Sequence, residues 1–100
     1  MPPRARKVDA NQPEIVAALR KIGACVIDLS GVGEGVMDLL VIYRGVTHMV
    51  EIKNPARKQK ANGLTPAQIA KHAEIARSGG EVHIVRTVDE ALALVTRGKP

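Results

Sequence analysis

The sequence is almost without aromatic side chains: Tyr43 stands alone, with no Phe and no Trp. Domains that grip single strands by stacking bases need an aromatic platform. That mode is excluded, so any nucleic acid contact must run mainly through phosphates and backbone shape. Cysteine is nearly absent too. Cys25 alone cannot form an internal disulfide or a multi-cysteine zinc site, which fits a reducing cytosol. Set in an apolar stretch, it reads as a small buried hydrophobe rather than a nucleophile. No apolar run reaches the length of a membrane span, because Asp38 and Arg44 interrupt the longest one. The start, MPPRARKVDA, is basic but lacks the apolar core of a secretory signal. Together these features lead us to expect a soluble, cytoplasmic protein with no membrane contact.

One hundred residues make one small domain with a single modest core. The net charge of +5 favours a polyanionic partner. We expect a flexible basic arm over residues 1–7, carrying Arg4, Arg6 and Lys7, and one domain over residues 8–100.

The chemistry is concentrated between Gly35 and Lys53, GVMDLLVIYRGVTHMVEIK. Two apolar strands flank Arg44-Gly45, and each carries charge where a buried strand should not. A two-residue turn there pairs Tyr43 with Val46, and counting back along the ladder sets Asp38 opposite Glu51. Opposed residues of an antiparallel pair have Cβ atoms roughly 4.5–5.5 Å apart. Period-two alternation puts Lys53 on the face of Glu51. Two carboxylates that close repel each other, and burying them unpaired is costly. Lys53 can offset one, whereas a divalent cation offsets both, and carboxylate oxygens suit Mg²⁺ or Mn²⁺. The simpler alternative is an edge-strand salt bridge between Glu51 and Lys53, with Asp38 solvated at a strand start.

Around this hairpin the periodicities predict a helix from Asp9 or Asn11 to Lys21, with Ile15, Leu19 and Ile22 on one stripe. Asn11 and Glu14 have capping-box spacing, with Pro13 in the first turn. Residues 24–29 read as the first strand, followed by the loop SGVGEG. That loop runs into a strand rather than a helix, which rejects a phosphate-cradling loop. Its glycines instead permit a tight connection and close backbone approach beside Asp38.

The hairpin strands, residues 37–43 and 46–53, are apolar on both faces, as central strands covered by helices are. The segment NPARKQKANG holds Arg57, Lys58 and Lys60 without one acid. It reads either as a solvated charge run or as a phosphate-backbone contact. Thr65, Pro66 and Gln68 open a second helix with a capping box, and His72 lies one turn beyond Gln68 on the same side. A fourth strand over residues 81–86 and a short helix capped by Thr87 and Glu90 complete the chain. The second helix can cross over to lay the fourth strand parallel to its neighbour, giving a mixed sheet covered by helices.

This order, with Asp38 followed by Glu51-Ile52-Lys53, resembles the PD-(D/E)XK nuclease superfamily. In that superfamily an acid at the start of the second strand and a D/E-X-K on the third form a metal site. The chain looks most like the small stand-alone VRR-NUC proteins of phages and bacteria, from about Val8 to Val95. It departs from them in two places: Met37 stands where relatives usually have Pro, and Lys71 lies near a position that often carries an aromatic.

The resemblance implies an α/β, restriction-endonuclease-like αβββαβ core and a metal-dependent DNA endonuclease. It implies Asp38, Glu51, the Ile52 carbonyl and Glu14 as metal ligands, with Lys53 catalytic. Gln68 is a site residue in relatives, and the capping box explains it equally well. His72 is read as helix structure rather than substrate contact. One site per chain implies a homodimer for cutting two strands. The other readings are a Holliday-junction resolvase and a non-catalytic DNA-binding module on the same fold.

Overall fold

In the computed structural model, which describes residues 10–54 and 63–97, the elements run α1 (Gln12–Lys21), β1 (Cys25–Asp28), β2 (Leu39–Tyr43), β3 (Val46–Ile52), α2 (Pro66–Arg77), β4 (Val82–Val85) and α3 (Val88–Arg97). The four strands form one sheet in the order β1-β2-β3-β4. The first three are antiparallel neighbours, and β4 joins β3 in parallel after the α2 crossover. The expected mixed, helix-flanked α/β architecture is the observed one.

The hairpin has the register that its sequence dictates, with Tyr43 opposite Val46 and Leu39 opposite Val50. Arg44 and Gly45 both take positive φ, 51° and 83°, which is the requirement of the type I′ turn whose twist matches the strands. The Arg44 guanidinium lies over the Tyr43 ring at 5.2 Å and steadies this non-glycine residue in its turn.

Alternation then sorts the side chains. Val26, Leu39, Val41, Val50, Ile52 and Val85 share one face and form the core with Ile15 and Leu19 of α1 and Ala91 and Val95 of α3. His48 is buried on this face, and its Nε2 has no hydrogen-bond partner among the described residues. The opposite face is covered only in part, by α2. Cys25 belongs to that face and is exposed, so the expectation of a buried cysteine is corrected: apolar neighbours in sequence did not bring a covering helix. Ile27 is exposed on the same face.

Two helix starts differ in kind. At α2 the expected capping box is complete: Thr65 Oγ1 accepts the Gln68 amide at 3.1 Å, and Gln68 Oε1 accepts the Thr65 amide at 2.9 Å. At α1 there is no side-chain cap, so the Asn11–Glu14 box is not formed. Asn11 instead crosses the fold, and its Nδ2 donates to the carbonyls of Arg86 (2.8 Å) and Lys53 (3.2 Å). Satisfying two strand-end carbonyls outweighs a local cap, because a part-buried carbonyl left bare costs about 1–3 kcal/mol. The start of α1 is thereby tied to the ends of β3 and β4.

Candidate functional site

Asp38 immediately precedes β2 and Glu51 is the penultimate residue of β3, so the ladder continues by one step to set them side by side. The Asp38 carboxylate is fixed from across the hairpin, where its Oδ2 accepts the Ile52 amide at 2.7 Å. Its own carbonyl accepts the Leu29 amide at 2.7 Å. Both ends of the residue are therefore held by neighbouring strands.

Glu51 is almost wholly buried, at 1% exposure. Its two oxygens meet different surroundings. Oε2 accepts a hydrogen bond from Gln68 Nε2 at 2.7 Å and faces Lys53 Nζ at 3.6 Å. Oε1 has no hydrogen-bond partner among the described residues and faces His72 Nε2 at 3.6 Å. Burial, and then the Asp38 carboxylate beside it, push the Glu51 pKa up to about 8, against the pull of Lys53. His72 is shifted down, first by burial and then by Lys53, with Asp38 acting in the opposite sense. A carboxylate pair held in this way is short of positive charge.

Gln68 turns out to do two jobs. Its Oε1 accepts both the Thr65 amide and Lys53 Nζ, the latter at 3.1 Å, while its Nε2 holds Glu51. The capping reading is correct, and the same side chain also reaches Glu51 and Lys53, since an amide has enough donors and acceptors for all three bonds. Gln68 is the buried residue of α2, whereas Ile69, Ala73 and Ala76 are exposed. The sheet side of this helix is thus polar at the site end.

The glycine loop explains how α2 comes so close. Gly35 has φ +80°, and a Cβ there would overlap the Ala67 carbonyl oxygen and lie 2.6 Å from the Ala67 carbonyl carbon. Only a residue without a side chain lets the loop pass against the first turn of α2, which carries Gln68. The close approach expected from the glycines is found, and its partner is the α2 backbone.

Of the predicted residues, the structure brings Asp38, Glu51, Ile52, Lys53 and Gln68 together. Glu14 is exposed in the first turn of α1 and makes no hydrogen bond or ion pair among the described residues. Arg4, Arg6, Lys7, Arg57, Lys58 and Lys60 lie outside the described residues. Sequence reasoning passed over His72 as a site residue, although its i, i+4 spacing from Gln68 was a usable signal. It also had no access to the Asn11 clamp. Lys71, near the position that often carries an aromatic in relatives, pairs with Glu74 at 2.9 Å.

No group of three or more carboxylate, imidazole or thiol side chains among the described residues forms a ready-made cation cage. The fit of a divalent ion rests instead on the buried, unpartnered Glu51 Oε1 and on the hard-oxygen character of the Asp38–Glu51 pair. Those residues suit such an ion.

The mixed β1-β2-β3-β4 sheet, with Asp38 just before the second strand and Glu51 and Lys53 at the end of the third, is the layout that the resemblance to PD-(D/E)XK nucleases leads one to expect. Comparison with solved structures narrows this further. The chain is similar to a structure described as a VRR_NUC domain, with a TM-score of 0.64 and 26% identity over 89% of this chain and 98% of that one. No family model matches the sequence, and no curated protein matches it. The fold is that of a VRR-NUC-like, nuclease-type domain.

Proposed function

We propose that the protein is a divalent-metal-dependent DNA endonuclease that hydrolyses phosphodiester bonds and selects DNA by structure. The observation that carries this reading is the buried Glu51 carboxylate, raised in pKa beside Asp38 and left with one oxygen unpartnered. The nuclease-type fold supports it. Asp38 and Glu51, with the Ile52 carbonyl, would hold Mg²⁺ or Mn²⁺, and Glu14 would act through water. A bound divalent ion lowers the pKa of its water and relieves charge on the scissile phosphate.

The remaining roles belong to the chain. Asp38, anchored by the Ile52 amide, presents its carboxylate at a set angle. Lys53 Nζ, steered by Gln68 Oε1, stands close to Glu51. There it orients the attacking water and stabilises charge developing on the phosphate, as a fixed cation does in a site of low dielectric. Gln68 keeps Glu51 and Lys53 from collapsing into a closer ion pair. The phosphate backbone is met by Arg57, Lys58, Lys60 and the N-terminal Arg4, Arg6 and Lys7, giving salt-sensitive binding. One chain carries one such site, so cutting both strands of a duplex or branched DNA takes a homodimer.

The test is cleavage of labelled linear, flapped and four-way-junction DNA with Mg²⁺, Mn²⁺ or EDTA, beside Asp38→Ala. Metal-dependent cutting that Asp38→Ala abolishes is the expected result, and binding without cutting under every condition would overturn it. Preference for four-way junctions would place the enzyme among junction resolvases.

A further inference from the structure

His72 is not among the residues that the sequence assigned to the site, yet its Nε2 is buried and has no hydrogen-bond partner among the described residues. It faces an equally unpartnered atom, Glu51 Oε1, at 3.6 Å. Two buried polar atoms left bare face to face are costly. The arrangement calls for something between them. Oε2 is already served by Gln68 and Lys53, so it is Oε1, facing His72, that is left without a hydrogen bond among the described residues.

We propose that His72 Nε2 is a direct ligand of the ion held by Glu51 and Asp38, and that it makes the site favour Mn²⁺ and Co²⁺ over Mg²⁺. This rests on the nuclease reading above. Two donors bound to one first-row ion at about 2.1 Å each stand about 3.0–3.5 Å apart, so a small closure brings both atoms onto a shared ion. A phosphate oxygen is a poorer occupant, because it would bring negative charge against the Glu51 carboxylate. Imidazole nitrogen binds transition metals well and Mg²⁺ poorly, since Mg²⁺ prefers oxygen and keeps its waters. An all-oxygen site lacks that discrimination. The i, i+4 spacing places Gln68 and His72 on one side of α2, so one helix face sets both the carboxylate and the choice of metal.

The experiment is calorimetric titration of the full chain with MgCl₂, MnCl₂ and CoCl₂, for wild type, His72→Ala, His72→Gln and Asp38→Ala. Thermal melts confirm that each variant folds. Pulsed electron spin resonance of the Mn²⁺-loaded protein reads ¹⁴N coupling directly. His72→Ala and His72→Gln should lose about tenfold or more in Mn²⁺ and Co²⁺ affinity, change little towards Mg²⁺ and lose the ¹⁴N signal. Asp38→Ala should weaken all three ions. Unchanged Mn²⁺ affinity, or a persistent ¹⁴N signal, in the folded His72 variants would overturn the His72 assignment while leaving the nuclease reading in place. No metal binding by the wild type would overturn both.

Discussion

Gln68 Nε2 lies 2.7 Å from Glu51 Oε2, and the same side chain caps its own helix through Oε1. The start of α2 and the end of β3 are therefore joined through one amide, and neither the cap nor the carboxylate can be altered alone.

Gln68→Ala should consequently cost more than an ordinary cap. Loss of a capping interaction costs about 1 kcal/mol. Stripping a hydrogen bond from a buried carboxylate adds about 1–3 kcal/mol. Chemical denaturation should show a loss of roughly 2–4 kcal/mol, against about 1 kcal/mol for Thr65→Ala. Similar losses in the two variants would mean that the Gln68–Glu51 bond contributes nothing.

Gly35→Ala tests the approach of the loop to α2. The added methyl would overlap the Ala67 carbonyl, at a backbone φ of +80° that side chains rarely adopt. Relief requires α2 to move away, taking Gln68 with it. The variant should lose about 1–3 kcal/mol of stability and should also bind Mn²⁺ more weakly. Gly45→Ala, where a Cβ meets nothing within 4 Å, carries strain from its φ of +83° alone and should leave metal binding unchanged.

The pH dependence of stability follows from Glu51. Its folded pKa, about 8, lies above the value of 4.5 for the free side chain, so the folded chain holds a proton that the unfolded chain releases. The stabilisation is fully present below about pH 4.5 and is lost as pH rises towards 8. Metal-free protein should therefore melt at a lower temperature at pH 9 than at pH 6. Glu51→Gln should flatten that slope, and saturating Mn²⁺ should reverse it by stabilising the ionised form. An identical slope in Glu51→Gln would assign the effect to another group.

Much of this protein is legible along the chain. Hairpin register follows from counting once Arg44-Gly45 is taken as the turn, and it sets Asp38 and Glu51 together before any packing is considered. The capping signals at Thr65 and Thr87 and the stripe of Ile15 and Leu19 are equally local, because helices and ladders repeat at fixed periods. Asn11 shows where such reasoning ends. Its spacing to Glu14 promises a cap, but its amide serves carbonyls at Lys53 and Arg86, 42 and 75 positions away.

The sequence by itself determined the order of elements, the turn, the paired acids and the Glu-Ile-Lys run beside them. Each depends on backbone periodicity over a few residues. Tertiary structure alone decided that Gln68 holds Glu51, that His72 faces its free oxygen, that Gly35 admits α2 and that Cys25 is left uncovered. Those outcomes depend on how distant segments meet, where burying a polar atom without a partner costs more than a local pattern can offset.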